Sequence, residues 1–432
     1  MELRRQLGLA SLVMLVVGEV VGVGIFLTPA QMARSLGSPF WLLVVWLVMG
    51  LMALCGALCY GALAGKFPEA GGGYVYLREA WGQGIAFLYG WKCLFVLDPG
   101  LTAAFGVGLA SYAAYIAHLA PLTQKLLAIA AILSLGGLNV LGLRLGAGFT
   151  RWLSVLKLSL LGFLIVWGVL RGLGDWSHLV PFVAQRPGSL PLRAALAAGM
   201  VSAFFSFAGW WDAAKVAGEA RDPARTVPRA LLLGVSIVTL VYILTTAAFL
   251  YLVPLERVTT GEAFAAQAGE ALFGPAGATV FSVVVMVSVL GSLASFMTAA
   301  PRVYYAMARD GVFLRAAGVV HPRFGTPARA ILIQAGLASV LVALGSFEQI
   351  VAYFIFVTVL FVALTVAAVL RVRPRASSYS FAAVVFLALA VVLLLLLAVN
   401  NPSQALLGTA VVALGWPVYR IGFRASRAPL SR

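Results

Sequence analysis

The residues that could do chemistry in this sequence lie inside strongly apolar stretches. The first is Glu19, in the run GEVVGVGIF at residues 18–26, which also contains Gly22 and Gly24. Glycine costs about 1 kcal/mol relative to alanine inside a helix, so this pair predicts a point where a helix unwinds. Backbone groups freed there need partners that lipid does not offer. The pattern favours binding of an ion or zwitterion between half-helix ends, with close packing against a neighbouring helix as the alternative.

A second apolar segment is also interrupted by a glycine. The run FFSFAGWWDAAK at residues 204–215 places Gly209 before two tryptophans and Asp212, where an ordinary membrane span would stay aliphatic. The two interrupted segments are five spans apart and run in opposite directions. That arrangement is typical of an inverted repeat with a ligand site at the membrane midplane. It favours the broken-helix interpretation of Gly22 and Gly24.

Ionisable residues within apolar segments are the other candidates. Lys157 lies in VLKLSLLGF, and a lysine at the centre of a span costs about 2.5–3.5 kcal/mol on insertion scales. We expect it to have a partner or a function, although snorkelling towards the Arg151 end is the alternative. Asp98 is a further buried acid. Lys92 lies about 240° around the helix from Asp98, so the two are not expected to pair. Asp212 could equally cap a helix.

Hydrolytic and metal chemistry have no visible machinery. His118, His178 and His321 are far apart, and the sequence has no HExxH, paired aspartate or Gly-x-Ser-x-Gly motif. The three cysteines lie in apolar segments, which predicts buried free thiols. We therefore expect no enzyme activity, no metal and no other cofactor.

The amino-acid composition indicates that the chain lies in a membrane. Of 432 residues, 62% are hydrophobic and 10% charged, against about 25% charged in soluble domains. This predicts an all-α integral membrane protein of about twelve transmembrane helices. Their expected extents are 8–34, 39–65, 84–117, 123–143, 149–171, 194–217, 227–253, 276–307, 328–346, 348–370, 380–399 and 404–422.

The basic residues predict the orientation. If the N-terminus is inside, 21 of the 30 Lys and Arg residues fall in cytoplasmic segments and six in outer ones. This asymmetry follows the positive-inside rule and predicts that both termini are cytoplasmic. It also accounts for the net charge of +16, so no nucleic-acid partner is expected.

Four spaced motifs together resemble one family. GEVVGVGIFLTPA, LCYGALAGKFPEAGGGYVYLREAWG, FSFAGWWDAAKVAGEARDPARTVPRA and RVYYAMARDGVFL are similar to the amino acid–polyamine–organocation superfamily, in particular to the L-type amino acid transporter group and its bacterial relatives. The resemblance implies a LeuT-type fold with broken helices 1 and 6. Residues 1–175 and 190–375 would be the two five-helix inverted repeats, and 376–432 two additional helices with a short tail.

The resemblance also implies a substrate site made of backbone. The first unwound part would bind the substrate carboxylate, and the facing part the ammonium group, with aromatic side chains shaping the pocket. Ala208 stands where many relatives have glycine, which favours small or medium neutral amino acids. The implied binding residues are Val20, Val21, Gly22, Val23, Gly24, Ile25, Phe205, Ser206, Phe207, Ala208, Gly209 and Trp210.

Four residues are implied in coupling. The family places a lysine at the position of Lys157, against spans 1 and 8, where sodium-coupled relatives hold sodium. Ser292 and Ser295 in span 8 are the hydroxyls expected nearby, with close packing of small residues as the alternative. Glu19 departs from the family pattern, which has a small or hydroxylated residue there. It could pair with Lys157, relay a proton or hold a cationic substrate.

The expectation is therefore a sodium-independent transporter of neutral L-amino acids, working as an exchanger by alternating access in the cytoplasmic membrane. The alternative is proton-coupled uptake of cationic amino acids or polyamines, motivated by Glu19, Asp98 and Asp212. Heteromeric relatives carry a cysteine in the short outer loop at residues 118–125, which this sequence lacks. No disulfide-linked heavy chain is expected.

Overall fold

The computed structural model describes residues 7–68, 71–141, 147–258, 264–300, 303, 307–308, 311–319, 321–324, 326–372 and 377–423. These residues are mostly helical, and their one isolated β-bridge joins Leu7 to Ala220. The α-helices are α1 (Leu9–Val20), α2 (Gly24–Leu36), α3 (Pro39–Lys66), α4 (Gly73–Trp81), α5 (Gln83–Lys92), α6 (Asp98–Ala117), α7 (Pro121–Val140), α8 (Ala147–Leu170), α9 (Leu192–Phe207), α10 (Pro223–Leu252), α11 (Leu255–Val258), α12 (Phe264–Ala299), α13 (Ala328–Leu344), α14 (Phe347–Val372), α15 (Ser377–Asn400) and α16 (Pro402–Gly422). Within α12, a kink at Phe273 and Gly274 separates two helical parts.

The length and apolarity of these helices identify a membrane protein. Among the described residues, nine helices can cross a membrane, and ten if α1 and α2 form one bent span. Two shorter apolar helices, Val155–Leu170 and Ala328–Leu344, coincide with the fifth and ninth predicted spans. The all-helical membrane fold is thus confirmed. The total of about twelve spans and the division at 1–175, 190–375 and 376–432 stay predictions.

The first span is broken at Val21–Val23. Helices α1 and α2 are bent by 45° relative to each other. Within the break, the Gly22 amide donates to the Val20 carbonyl at 2.7 Å, which replaces the helical pattern with a tight turn. The unwound part is shorter than the expected 20–25, because Val20 still belongs to α1 and Gly24 and Ile25 already belong to α2.

The sixth span is interrupted at Ala208 and Gly209. Gly209 has a φ of 108°, in the left-handed region that glycine adopts without Cβ strain. After it, residues Trp210–Glu219 form a 3₁₀-helix, called here the 3₁₀ segment. The expected unwound part at 205–210 is therefore corrected: Phe205, Ser206 and Phe207 are helical. Asp212 does not cap this segment, since Gly209 occupies the cap position.

The third predicted span contains a π-helical turn, Cys93–Leu97, between α5 and α6. Pro99 lacks an amide hydrogen, so it cannot bond to the carbonyl of Phe95 four residues earlier. That carbonyl instead accepts a hydrogen bond from the Tyr353 hydroxyl at 3.1 Å. The distortion of this span is thus compensated from α14.

Each end of the bundle is fastened by backbone contacts. At the end predicted to be outer, the loop between α8 and α9 covers the end of α2, where the Arg186 amide donates to the Gly37 carbonyl at 2.9 Å. At the opposite end, the Arg221 amide donates to the Leu7 carbonyl at 2.9 Å. The start of α1 is therefore tied to the end of the 3₁₀ segment.

Candidate functional site

The broken ends of the first and sixth spans meet at Gly24 and Ser206. A Cβ placed on Gly24 would lie 2.6 Å from Ser206 Cα, so the two backbones can approach this closely only with glycine at position 24. Beside this contact, Thr28 Oγ1 lies 2.7 Å from Ser206 Oγ. Each hydroxyl also reaches the carbonyl four residues earlier in its own helix, at 3.0 Å. A polar contact thus joins α2 to α9 at the break.

Tyr242 of α10 connects the other two helix ends. Its hydroxyl oxygen lies 2.7 Å from the Val20 carbonyl and 2.8 Å from the Ser206 carbonyl, and all of these groups are buried. The single hydroxyl proton serves both acceptors. Because lipid cannot hydrogen-bond a carbonyl, this tyrosine stabilises the ends of α1 and α9 together.

Free backbone groups of opposite polarity face the break. The amides of Val23, Gly24 and Ile25 lie at the start of α2, where no earlier turn supplies carbonyl acceptors. These amides and the helix dipole favour a negative group there. The carbonyl ends of α1 and α9 favour a positive group through the helix dipole, although the Val20 carbonyl already accepts from Tyr242 and from the Gly22 amide. An α-amino acid carries both charges in one small molecule.

The aromatic side chains expected to line the pocket are buried against other aromatic rings. Phe205, Phe207 and Trp210 are each at most 3% exposed. Their ring partners are Phe347 and Phe354 for the first, Trp46 and Tyr242 for the second, and Tyr60 and Trp211 for the third. Phe207 thus lies next to Tyr242, whose hydroxyl is at the break, and Ala208 at the break is partly exposed. The lining of a substrate pocket by these rings stays a prediction.

Glu19 lies beside this break, and its carboxylate has no partner among the described residues. Its side chain is exposed although Val17 and Val20 around it are buried. A Cβ on Gly209 would lie 3.7 Å from the Glu19 backbone, so the two interruptions face each other here. Helix α1 packs against the 3₁₀ segment, which carries Asp212 and Lys215, and against α8, which carries Lys157.

Lys157 is held between α8 and α12. It is 4% exposed, and its ammonium donates to Ser292 Oγ at 2.6 Å. Helix α8 also packs against α1, on which Glu19 lies. The side chain of Ser295 lies outside the described part of the chain.

Four further charged residues lie in the 3₁₀ segment and around the start of α6. Lys215 Nζ is 2.8 Å from Asp212 Oδ1 within the 3₁₀ segment. Asp98 at the start of α6 is 4% exposed, and Lys92 just before the π-helical turn is 2% exposed. Lys92 and Asp98 form no direct ion pair, and the Lys92 ammonium lies over the Tyr89 ring at 5.0 Å.

Three residues of the site were missed by sequence reasoning. Tyr242, Thr28 and Lys215 gain their roles from contacts between distant spans. A hydroxyl in the middle of an apolar span, as in TLVYILTT, is the available signal for Tyr242. Among the described residues, no group of three or more His, Cys, Asp or Glu could hold a metal ion.

Comparison with known proteins gives matches along nearly the whole chain. A family model described as amino acid permease matches residues 7–419. The serine/threonine exchanger SteT of Bacillus subtilis is 29% identical over 430 residues, which cover 96% of this chain and 96% of that protein. The human b(0,+)-type amino acid transporter 1 is 28% identical over 377 residues, covering 86% of this chain and 77% of that protein. The human cystine/glutamate transporter is 26% identical over 431 residues, covering 97% and 85%.

Replacing Gly24 with alanine should destabilise the site. The added methyl would overlap the Ser206 backbone, and overpacking of this kind costs about 1–3 kcal/mol. We expect Gly24→Ala to lower the thermal unfolding midpoint of the detergent-solubilised protein, measured by tryptophan fluorescence. Gly137→Ala is the matched control, since a Cβ there meets nothing within 4 Å. Equal midpoints for the two variants would contradict the close approach.

Removing the Tyr242 hydroxyl should also be costly. Tyr242→Phe removes this donor from the Ser206 carbonyl and leaves the Val20 carbonyl with the Gly22 amide alone, at about 1–3 kcal/mol for an unsatisfied buried group. We expect a lower unfolding midpoint in the same assay. In the control, Tyr115→Phe removes a hydroxyl that bonds to Glu270 at the bundle surface and should change the midpoint little. A larger effect at Tyr115 would count against the bridging role.

Proposed function

The chain belongs to the amino acid permease family, and on that premise we propose that this amino acid transporter exchanges small or medium-sized neutral L-amino acids without sodium. The observation that carries the proposal is the pair of facing interruptions, Val21–Val23 and Ala208–Gly209. They present amide and carbonyl groups across one short gap. Alternating access would move the half-helices around this site.

The backbone supplies recognition of the α-amino acid itself. The amides of Val23, Gly24 and Ile25 would bind the substrate carboxylate, assisted by the dipole of α2. The carbonyl ends of α1 and α9, held in place by Tyr242, would accept the substrate ammonium. These groups are shared by every amino acid, so the side-chain preference has to come from other parts of the site.

Two observations support a neutral, modest-sized side chain. The methyl group of Ala208 occupies space at the break. The six ionisable groups around the site are three lysines and three acids, and their formal charges sum to zero: Lys92, Lys157, Lys215, Glu19, Asp98 and Asp212. A zwitterion without net charge keeps this balance in a medium where unpaired charge is expensive.

Lys157 supports the absence of sodium coupling. Its ammonium is bonded to Ser292 of α12, and α8 packs against α1, which carries Glu19 near its end. A fixed cation there fills the role that a bound cation would play and repels a second one. We propose that Lys157 and Ser292 couple the occupancy of the site to the tilt of α1.

Proton-coupled uptake of a cationic amino acid or polyamine is the second candidate. One observation favours it: the exposed Glu19 carboxylate has no ion-pair partner among the described residues. Such a group can bind a proton or the second ammonium of a diamino compound. The two candidates differ in net charge moved per cycle, which makes them separable by experiment.

The setting is a membrane, which the chain crosses several times. We propose the cytoplasmic membrane with both termini inside, on the strength of the Lys and Arg distribution. We also propose that the protein works without a disulfide-linked heavy chain, because residues 118–125 contain no cysteine.

Proteoliposomes test the proposed function. Uptake of labelled alanine, serine, leucine and arginine is measured with and without internal amino acid, and with and without an inward proton gradient. We expect serine and alanine uptake that requires internal substrate and ignores the gradient and external sodium. Arginine uptake into empty vesicles that follows the gradient would contradict exchange and establish the second candidate.

Lys157→Ala should impair transport far more than expression. Loss of a charged hydrogen bond costs about 1.5–3 kcal/mol, so we expect exchange to slow by about tenfold or more. Lys125→Ala is the matched control, because that lysine bonds to the Ala343 carbonyl on the exposed surface. Rates are normalised to protein in the vesicles. Wild-type exchange by the Lys157 variant would remove the coupling role.

A further inference from the structure

The last part of the chain carries an unbalanced positive charge. After Glu348 the sequence contains no Asp, Glu or Lys, but it contains seven arginines, three within residues 371–375 and four within residues 420–432. Both groups fall in segments that we propose to be cytoplasmic. The positive-inside rule accounts for their number. It does not account for the contacts that Arg371 and Arg420 make.

Arg371, in the last turn of α14, is stacked on Trp81 at the end of α4. Its Cζ atom lies 5.2 Å from the centroid of the indole ring. The Trp81 indole nitrogen donates to the Leu364 carbonyl of α14 at 3.0 Å, so the ring is held in place. The ring is nevertheless 36% exposed. A guanidinium stacked in this way keeps the N–H groups at its edges available to an acceptor.

Arg420, in the last turn of α16, makes the same contact with Trp416 one turn earlier. Its Cζ atom lies 5.3 Å from the ring centroid, and Trp416 is 38% exposed. A Cβ on Gly84 would lie 2.9 Å from the Trp416 ring, so this indole packs directly on the first turn of α5. The second arginine is therefore positioned against α5.

The two stacks are neighbours. Trp81 and Gly84 are three residues apart, which the chain can span over about 11 Å at most. Helices α14 and α16, which carry the two arginines, also pack against each other. The four side chains flank the short connection between α4 and α5 and are called here the arginine–tryptophan cluster: Trp81, Arg371, Trp416 and Arg420.

No acid neutralises this cluster within the described part of the chain. Arg371 and Arg420 are exposed, and neither has a hydrogen-bond or ion-pair partner among the described residues. Glu79, the acid nearest to Trp81 in the sequence, is paired with Arg78 at 3.0 Å. Two positive charges in the cluster are therefore open to an anionic partner.

The cluster lies where the membrane-crossing helices end. Both arginines are in the last turns of such helices, and Trp81 comes just before another begins at Gln83. Tryptophan is enriched at this depth, between the hydrocarbon and the water. Leu370 and Ile421, next to the arginines in the sequence, are exposed apolar side chains. A ligand with an anionic head and an apolar tail matches this combination.

We propose that the arginine–tryptophan cluster binds the phosphate of an anionic phospholipid, whose acyl chains lie against α16. The guanidiniums donate charge-assisted hydrogen bonds to the phosphate oxygens, and the indole rings hold the guanidiniums in place. Basic pockets between membrane helices recognise lipid headgroups by this chemistry. The bound headgroup joins the ends of α5, α14 and α16. This inference goes beyond the proposed transport and does not depend on it.

Native mass spectrometry of the full-length protein in detergent tests the proposal. The protein is titrated with phosphatidylglycerol, and with phosphatidylcholine of the same acyl chains as the uncharged reference. Since one cation near an anionic lipid changes its affinity about fivefold, we expect Arg371→Gln and Arg420→Gln each to weaken phosphatidylglycerol binding by that factor. The double variant should bind it about twentyfold more weakly, with phosphatidylcholine binding unchanged. Wild-type affinity of the double variant, or an equal loss for both lipids, would overturn the proposal.

Two other stacked arginines are matched controls. Arg171 lies over Trp167 at 5.2 Å, and Arg323 lies over Phe324 at 5.6 Å, both away from the cluster. Replacement of either by glutamine removes one charge and one ring contact. We expect phosphatidylglycerol binding to change by less than about twofold. A loss as large as that in Arg371→Gln would show a diffuse effect of net charge and contradict a site at the cluster.

Lysine substitutions separate recognition by guanidinium from charge alone. Arg371→Lys combined with Arg420→Lys keeps both charges but loses the planar, stacked groups. We expect this variant to bind phosphatidylglycerol about fivefold or more weakly than the wild type. Wild-type affinity would overturn the proposed recognition.

Excess inorganic phosphate distinguishes a lipid from a free anion. The acyl chains contribute to binding of the lipid, so we expect phosphate to change phosphatidylglycerol binding by less than about twofold. Complete displacement of the lipid by phosphate would overturn the phospholipid as the occupant of the cluster.

Discussion

The structure depends on one constraint: lipid offers no hydrogen-bond partner to a peptide group. Two helices are nevertheless interrupted, at Val21–Val23 and at Ala208–Gly209. Tyr242 serves the carbonyls of Val20 and Ser206 from a third helix, so the carbonyl side of the gap is fixed in place. The amides at the start of α2 have no equivalent side-chain donor or acceptor in their own turn. The protein thus keeps one side of the gap ordered and leaves the other ready for an anionic group.

Charge balance is the second condition that the bundle meets. An isolated ion in a low-dielectric interior costs several kcal/mol even after relaxation, whereas paired ions repay part of that cost. Here the charged groups are spread over different helices. Lys157 on α8 is bonded to Ser292 on α12, Lys215 is paired with Asp212 in the 3₁₀ segment, and Glu19 and Asp98 lie on α1 and α6. Since these elements belong to different spans, relative movement of the spans changes which charges are neighbours.

Features that depend on one stretch of sequence could be predicted from the sequence alone. Paired glycines inside apolar runs indicated both interruptions, and a lysine in mid-span indicated a buried contact. The sequence did not predict the length of each break, because helix propensity cannot tell whether Phe205–Phe207 stay helical against α2. The role of the aromatic side chains in the pocket stays a prediction for a related reason. Phe207 and Trp210 face Trp46 and Tyr60 on α3, and only the packed structure decides which way a ring points. Tyr242 was missed because its two acceptors lie 222 and 36 residues away.

The tie between α1 and the sixth span restricts how the site can change shape. Near one end, the Arg221 amide is bonded to Leu7, and at the other end Tyr242 links the carbonyls of Val20 and Ser206. A tilt of α1 therefore carries the 3₁₀ segment with it and alters the angle at both interruptions. A ligand shifts a conformational equilibrium only by its differential affinity for the two states. Backbone amides and carbonyls across the breaks are the groups whose separation varies with these angles, while the rings packed in the core keep their neighbours. If the backbone binds the amino acid as proposed, recognition has a mechanical consequence: the binding groups are the same groups whose separation changes with the tilt of α1.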